Sequence, residues 1–254
     1  MLTPRYKTEP AYTPDYGEFA TCAEESAYPE LWNGLVGAWY PMLGVSGNKL
    51  PDAVGNRNLV GPCAQSLGYT IFTGSQRLVG GPLPAGMSEI TVVAKTQTSP
   101  GATGFGAVVG TSGTWSVFGL IHGWNDGTSI YWMLPINGTT QTVTGTLPAG
   151  WSKLSAVWKS GVKAKIRSGS NTWSAPTAYT GTLIFDAGIA IGAMASYTVA
   201  SFDVAYVMVW NRALSDLEVD IVHADPPAPF RRRASADQPL DAMIPLPLLA
   251  GRSA

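Results

Sequence analysis

The sequence predicts an all-β sandwich: two facing antiparallel sheets, one short C-terminal helix, and an extended tail at each end. Three observations predict it. Glycine (29) and proline (19) are frequent and charged residues make up only 13% of the 254 residues, a balance that suits many strands joined by tight turns. Short runs with strand character recur between glycine-rich turns. The run from Ser201 to Arg233 reads as a strand, a tight turn, a capped helix and a proline-stopped exit.

That last run is the most explicit. Phe202, Val204, Tyr206, Met208 and Trp210 alternate with Asp203, Ala205, Val207 and Val209, the period of a strand, and the first set is expected inside. Asn211-Arg212 turns the chain. Ser215 stands as N-cap with Glu218 three residues on, a capping box, and Leu214 and Val219 take the hydrophobic-staple positions. The helix is expected over Asp216–Ala224, with Leu214, Leu217 and Ile221 on one face. Asp225-Pro226-Pro227 ends it, because a residue before proline is pushed out of the α region.

Further strands are expected at Ile90–Lys95, Phe105–Val109, Trp115–Ile121, Ser129–Leu134, Thr139–Thr144, Leu154–Trp158, Val162–Arg167 and Ile189–Gly192. Val162, Ala164 and Ile166 against Lys163, Lys165 and Arg167 read as a half-exposed strand. Gly81–Lys95 (GPLPAGMSEITVVAK) echoes Gly145–Lys159 (GTLPAGWSKLSAVWK). The echo has no fixed period, so it reads as one turn solution entering two strands rather than a solenoid repeat.

Several segments together resemble laminin-G-like, concanavalin A-like jelly rolls. They are the ending Asn211-Arg212-Ala213-Leu214-Ser215 with Glu218-Val219, the opening strand Gly34–Pro41, and the turn Asp52, Gly55, Asn56, Asn58. Ile189–Gly192 before the final strand is a fourth. The resemblance spans about Leu31 to Asp225 and implies a jelly-roll domain over 31–225, with an extended arm at 1–30 and an extended tail at 226–254. It is a likeness of fold, and such folds serve lectins, enzymes, adhesins and virion parts alike.

Composition excludes several classes. A net charge of −1 gives no general field toward nucleic acid or an anionic membrane. No apolar run is long enough to span a bilayer, and the N-terminus MLTPRYKTEP has no apolar core of a secretory signal. Cys22 and Cys63 could form one disulfide, but two reduced thiols fit a chain folded in cytoplasm better.

Catalysis finds little support. A glycosidase needs two carboxylates flanking a cleft, and between Ile90 and Ser215 the acids are Asp126, Asp186 and Asp203, none paired along a strand. Glu218 and Asp220 are better explained by the helix. His122 reads as a turn residue and His223 as a helix C-terminal cation. Zinc lacks ligands. Calcium has candidates in Asp52 and Asp126, although a lone turn aspartate is more often an Asx-turn. The expectation is therefore no enzyme, no cofactor and no metal.

Binding is the remaining chemistry. Trp124, Asn125, Asp126 and Trp173 lie in turn-rich context, where exposed indoles beside polar side chains would form a lectin-type patch. Trp115, Trp132, Trp151, Trp158 and Trp210 fall in strands and mostly fill the core. The tails offer Tyr6, Tyr12, Tyr16 and Phe230 as apolar anchors and Arg231, Arg232 and Arg233 for carboxylates. With the helix ending Asp225–Arg233, these tails look like those of jelly-roll modules in tailed-phage particles. The functional expectation is a virion structural protein, a capsid decoration or other head-surface component that also binds glycans, its partners being copies of itself and other virion proteins. The alternative is a carbohydrate-binding tail or fibre module for host recognition.

Overall fold

The computed structural model describes residues 19–41, 48–55, 57–62, 64–66, 69–74, 76–98, 106–111, 119–122, 129–146, 148, 150–169, 172–184, 188–193 and 199–233. Its strands are β1 (Leu35–Trp39), β2 (Lys49–Leu50), β3 (Leu59–Val60), β4 (Ala64–Ser66), β5 (Tyr69–Gly74), β6 (Arg77–Val79), β7 (Glu89–Thr98) and β8 (Gly106–Thr111). β9 (Gly119–His122), β10 (Ser129–Ile136), β11 (Thr139–Thr146), β12 (Gly150–Lys159), β13 (Lys163–Ser168), β14 (Ile189–Ala193) and β15 (Val199–Trp210) follow. A short helix α1 (Pro29–Trp32) precedes them, and α2 (Asp216–Ala224) and a 3-10 turn (Ala228–Phe230) close the fold.

The strands form two antiparallel sheets. One runs β13-β12-β7-β15-β5-β4, with β1 also paired to β15, and the other runs β11-β10-β9-β8-β14-β6-β3-β2. Trp39, Ile90, Val92, Trp132, Leu154, Trp158, Val204, Val207 and Val209 meet in the core between them. This is the sandwich the sequence predicts, and α2 has the expected bounds.

The echoed segments become neighbours. β7 and β12 pair antiparallel from Glu89↔Lys159 to Gly150↔Thr98. Their entry glycines, Gly86 and Gly150, hold φ of +73° and +81°, a left-handed conformation that glycine adopts without a Cβ penalty. From there Ile90, Val92 and Ala94 match Leu154, Ala156 and Trp158, all in the inter-sheet core.

β15 departs from strict alternation. Its register against β7 slips between Val204 and Tyr206, from Val204↔Thr96 to Tyr206↔Lys95. Such a bulge sends the following side chains to the opposite face. Val204, Val207 and Val209 therefore join the inter-sheet core. Tyr206, Met208 and Trp210, expected beside Val204, instead fill a second core on the sheet's outer side. The Phe202 side chain lies outside the described residues.

That second core forms beneath α2. Leu214, Val219 and Val222 pack there with Val93, Val157, Leu31 and Phe230. Leu217 is 70% exposed, so the buried face of the helix turns through Val219, Val222 and His223 rather than Leu217 and Ile221. The capping box is complete: the Glu218 N–H donates to Ser215 Oγ and the Ser215 N–H to Glu218 Oε2.

The boundaries expected at 30/31 and 225/226 are not breaks in packing. Phe19 and Ser26 bridge to Arg231 and Arg232. The N–H groups of Ala20, Ala27 and Arg233 donate to the carbonyls of Phe230, Arg231 and Glu25. Residues 19–30 and 226–233 thus clip together onto their own sandwich, because Leu31 and Phe230 complete the second core.

Candidate functional site

The outer face of the seven-stranded sheet divides in two. Alternation puts Thr91, Val93, Lys95 and Gln97 of β7 on that face with Trp151, Lys153, Ser155 and Val157 of β12. Near Val93 and Val157, α2 and the clipped tails cover it. Toward Trp151 they do not. Trp151 is 40% exposed, Lys153 is exposed, and Lys95 and Gln97 are half-buried.

Register fixes this open half. Trp151 stands opposite Gln97, and Lys153 stands directly opposite Lys95. The Lys95 ammonium lies 5.3 Å from the centroid of the Trp151 ring, within cation–π range. Asp203 sits opposite Gln97 on the next strand, and burial raises its carboxyl above the ordinary value.

Beside this face runs a ladder of ion pairs. Lys165 and Arg167, two apart on β13, meet Asp216 and Asp220, four apart on α2, at 2.6 and 2.7 Å. One helical turn and two strand residues span similar lengths, so the two rows match. Both cations also lie over the Trp173 ring, at 4.0 and 4.7 Å from its centroid. Lys165 and Arg167, expected as solvent-facing, are 8% and 6% exposed, because the helix and Trp173 cover them.

A buried polar chain lies underneath. His223 Nε2 is 2.6 Å from Ser155 Oγ, and Nδ1 is 3.1 Å from the Tyr206 hydroxyl. Burial first, then the nearby charges of Arg167 and Lys153, lower the imidazole to about 3. His223 does sit in the last turn of α2, but neutral, not as the cation the sequence suggested. Ser155 is fully buried, so its hydroxyl serves packing rather than attack on a substrate.

Other carboxylates are engaged as well. Burial works to raise Glu89, but the Ala213 N–H and Lys159 outweigh it and hold the carboxyl low. Burial likewise opposes, and Arg212 and the Ser215 cap outweigh it, at Glu218. Asp52, a calcium candidate, accepts the N–H groups of Ala38 and Val54 at 2.9 and 3.1 Å; the Asx-turn reading holds. No cluster of three metal-ligating side chains occurs among the described residues.

The predicted site residues separate. Trp124, Asn125 and Asp126 lie outside the described residues, as do Tyr6, Tyr12 and Tyr16. Trp173 is half-buried under its two cations rather than an open platform. Phe230, expected as an assembly anchor, is 1% exposed within its own chain because it plugs the second core against Trp32, ring centroids 5.7 Å apart. Arg231 pairs with Asp225 and Arg232 with Glu25, the carboxylate pairing expected of them but within the chain; Arg233 is exposed. The indole that sequence reasoning missed is Trp151. Its signal was phase: it is an odd number of residues from Trp158, which faces inward.

No protein-family model and no curated protein matches the sequence. Solved structures do. The Trypanosoma rangeli sialidase in complex with sialic acid superposes with a TM-score of 0.53 at 14% identity, over 74% of this chain and 32% of that one. The receptor-binding domain of botulinum neurotoxin C/D mosaic serotype superposes with a TM-score of 0.59 at 10% identity, over 75% of this chain and 51% of that one. The chain thus spans between a third and half of the proteins it resembles. At these identities the likeness is one of fold: a jelly-roll sandwich of two antiparallel sheets.

Proposed function

We propose that this chain is a non-catalytic carbohydrate-binding module whose site is the open outer face around Trp151. The observation that carries this is the exposed indole itself, 40% accessible on a rigid strand and ringed by the polar side chains of Gln97, Lys95 and Lys153. An indole face suits the C–H face of a sugar ring, while the polar neighbours suit its hydroxyls. The fold's resemblance to a sialidase and to a toxin receptor-binding domain is consistent with this role. The non-catalytic reading is supported by the engagement of Glu89, Asp216, Glu218 and Asp220 with cations.

The test is a glycan array probed with the full chain and with Trp151→Ala. Saccharide binding by the parent that is lost in the variant is the expected result. Equal signals from both would remove the site, and released reducing sugar would remove the non-catalytic reading.

The setting we propose is the surface of a tailed-phage virion, preferably its head. The clip of Phe19 to Arg231 supports a displayed module, since both tails then leave from one side of the sandwich. Mass spectrometry of purified particles tests it; absence of this chain from them would sink the idea.

A further inference from the structure

We infer that the saccharide taken by this face is anionic, its carboxylate or sulfate held between Lys95 and Lys153 while a ring stacks on Trp151. The inference rests on the proposed carbohydrate-binding role and narrows its ligand.

The argument starts from the echoed strands. Glu89 of β7 and Lys153 of β12 hold equivalent positions in the two copies, as do Lys95 and Lys159. Antiparallel pairing sets the start of each copy against the end of the other. At one end this joins Glu89 to Lys159 at 2.7 Å. At the other it joins Lys95 to Lys153. A glutamate at 153 would have made both ends complementary. Lysine there instead places two like charges directly opposite on one face, which destabilises a sheet.

Nothing among the described residues neutralises the pair. Lys165 and Arg167 have Asp216 and Asp220, and Lys159 has Glu89, whereas neither Lys95 nor Lys153 has a carboxylate of the described residues within ion-pair distance. The nearest acid by register is Asp203, which stands opposite Gln97 rather than opposite either lysine. Lys95 is held by the edge of the site, 5.3 Å from the Trp151 ring. Two adjacent ammonium groups beside an open indole are complementary to a sugar acid: charge to charge, and ring to ring.

The experiment measures affinity of the full chain for matched pairs by calorimetry. Oligogalacturonate is compared with its methyl ester, and 3′-sialyllactose with lactose. At least one acidic member should bind about tenfold or more tightly than its neutral partner. That advantage should shrink with added salt and disappear in Lys153→Gln and in Lys95→Gln. Thermal unfolding checks the variants: without ligand each should melt at or above the parent temperature, since a repulsion has been removed. Neutral and acidic sugars bound equally, or an advantage kept by both lysine variants, would overturn the inference and leave carbohydrate binding standing. No saccharide bound at all would overturn both. Single-stranded oligothymidylate bound as tightly as the acidic sugars would show a general polyanion surface and overturn the sugar assignment.

Discussion

Acidification should destabilise this protein through one residue. In the fold, burial lowers the pKa of His223 to about 3, so the imidazole is neutral at pH 7, held between the Ser155 and Tyr206 hydroxyls. In the unfolded chain an imidazole returns to about 6.5. The unfolded state therefore binds a proton that the native state refuses. Stability from this group is full above about pH 6.5 and is lost as pH falls toward 3. The linkage comes to about 2 kcal/mol at pH 5 and about 3 kcal/mol at pH 4, each pH unit in this window being worth about 1.4 kcal/mol. Glu89 and Glu218, with lowered carboxyls, add loss in the same direction, but only as pH drops through the carboxylate range. The assay is urea unfolding followed by tryptophan fluorescence at pH 7.5, 6 and 5, on the parent and on His223→Gln, which keeps a donor and an acceptor but cannot ionise. The parent midpoint should fall steadily while the variant's stays nearly flat down to pH 5. Parallel profiles, or an NMR titration of His223 near 6.5, would refute the reasoning.

Three other outcomes are expected. Asp52→Ala strips the acceptors from the Ala38 and Val54 N–H groups; it should cost about 2–4 kcal/mol in chemical denaturation, as unsatisfied buried donors do. Ser215→Ala removes the N-cap oxygen of α2 and should cost about 1 kcal/mol, measurable as a lower melting temperature. Truncation that begins the chain at Pro29 removes three backbone clip hydrogen bonds, from Ala20, Ala27 and to Glu25, together with the buried bond from Ser26 Oγ to the Pro229 carbonyl, and uncovers Phe230; at about 1 kcal/mol each, a loss of about 4 kcal/mol is expected, with unchanged stability refuting the clip.

Much of this fold was legible because local signals agree with the global one. The Ser215–Glu218 box and the proline stop after Asp225 act within one turn, so α2 was placed to the residue. Strands β7 to β14 announce themselves by alternation between glycines. The short strands between Lys49 and Val79 do not: two or three residues carry no period, and only their partners make them strands. The face of Tyr206 was unreadable because the bulge after Val204 inserts a residue that composition does not mark. The burial of Lys165 and Arg167 was unreadable because the aspartates opposite them lie some fifty positions away. The outward face of Trp151 follows from its register opposite Gln97, a pairing between strands that the sequence alone does not display.

The pairing of Phe19 with Arg231, and of Ser26 with Arg232, makes the domain a closed circuit in which entry and exit are neighbours. A body wired this way can be spliced into a loop of another protein without spreading that loop apart. It can equally be re-cut: a short bridge could join the two ends, and new ends could open at the Asn137-Gly138 turn between β10 and β11, where adding bulk at Gly138 meets nothing nearby. The sheet would not sense the change, since every ladder between β7, β12 and β15 would keep its partners. Seen so, the arm and tail are leads attached at one socket, and the chain order of the strands is only one of several that this sandwich could be spelled in.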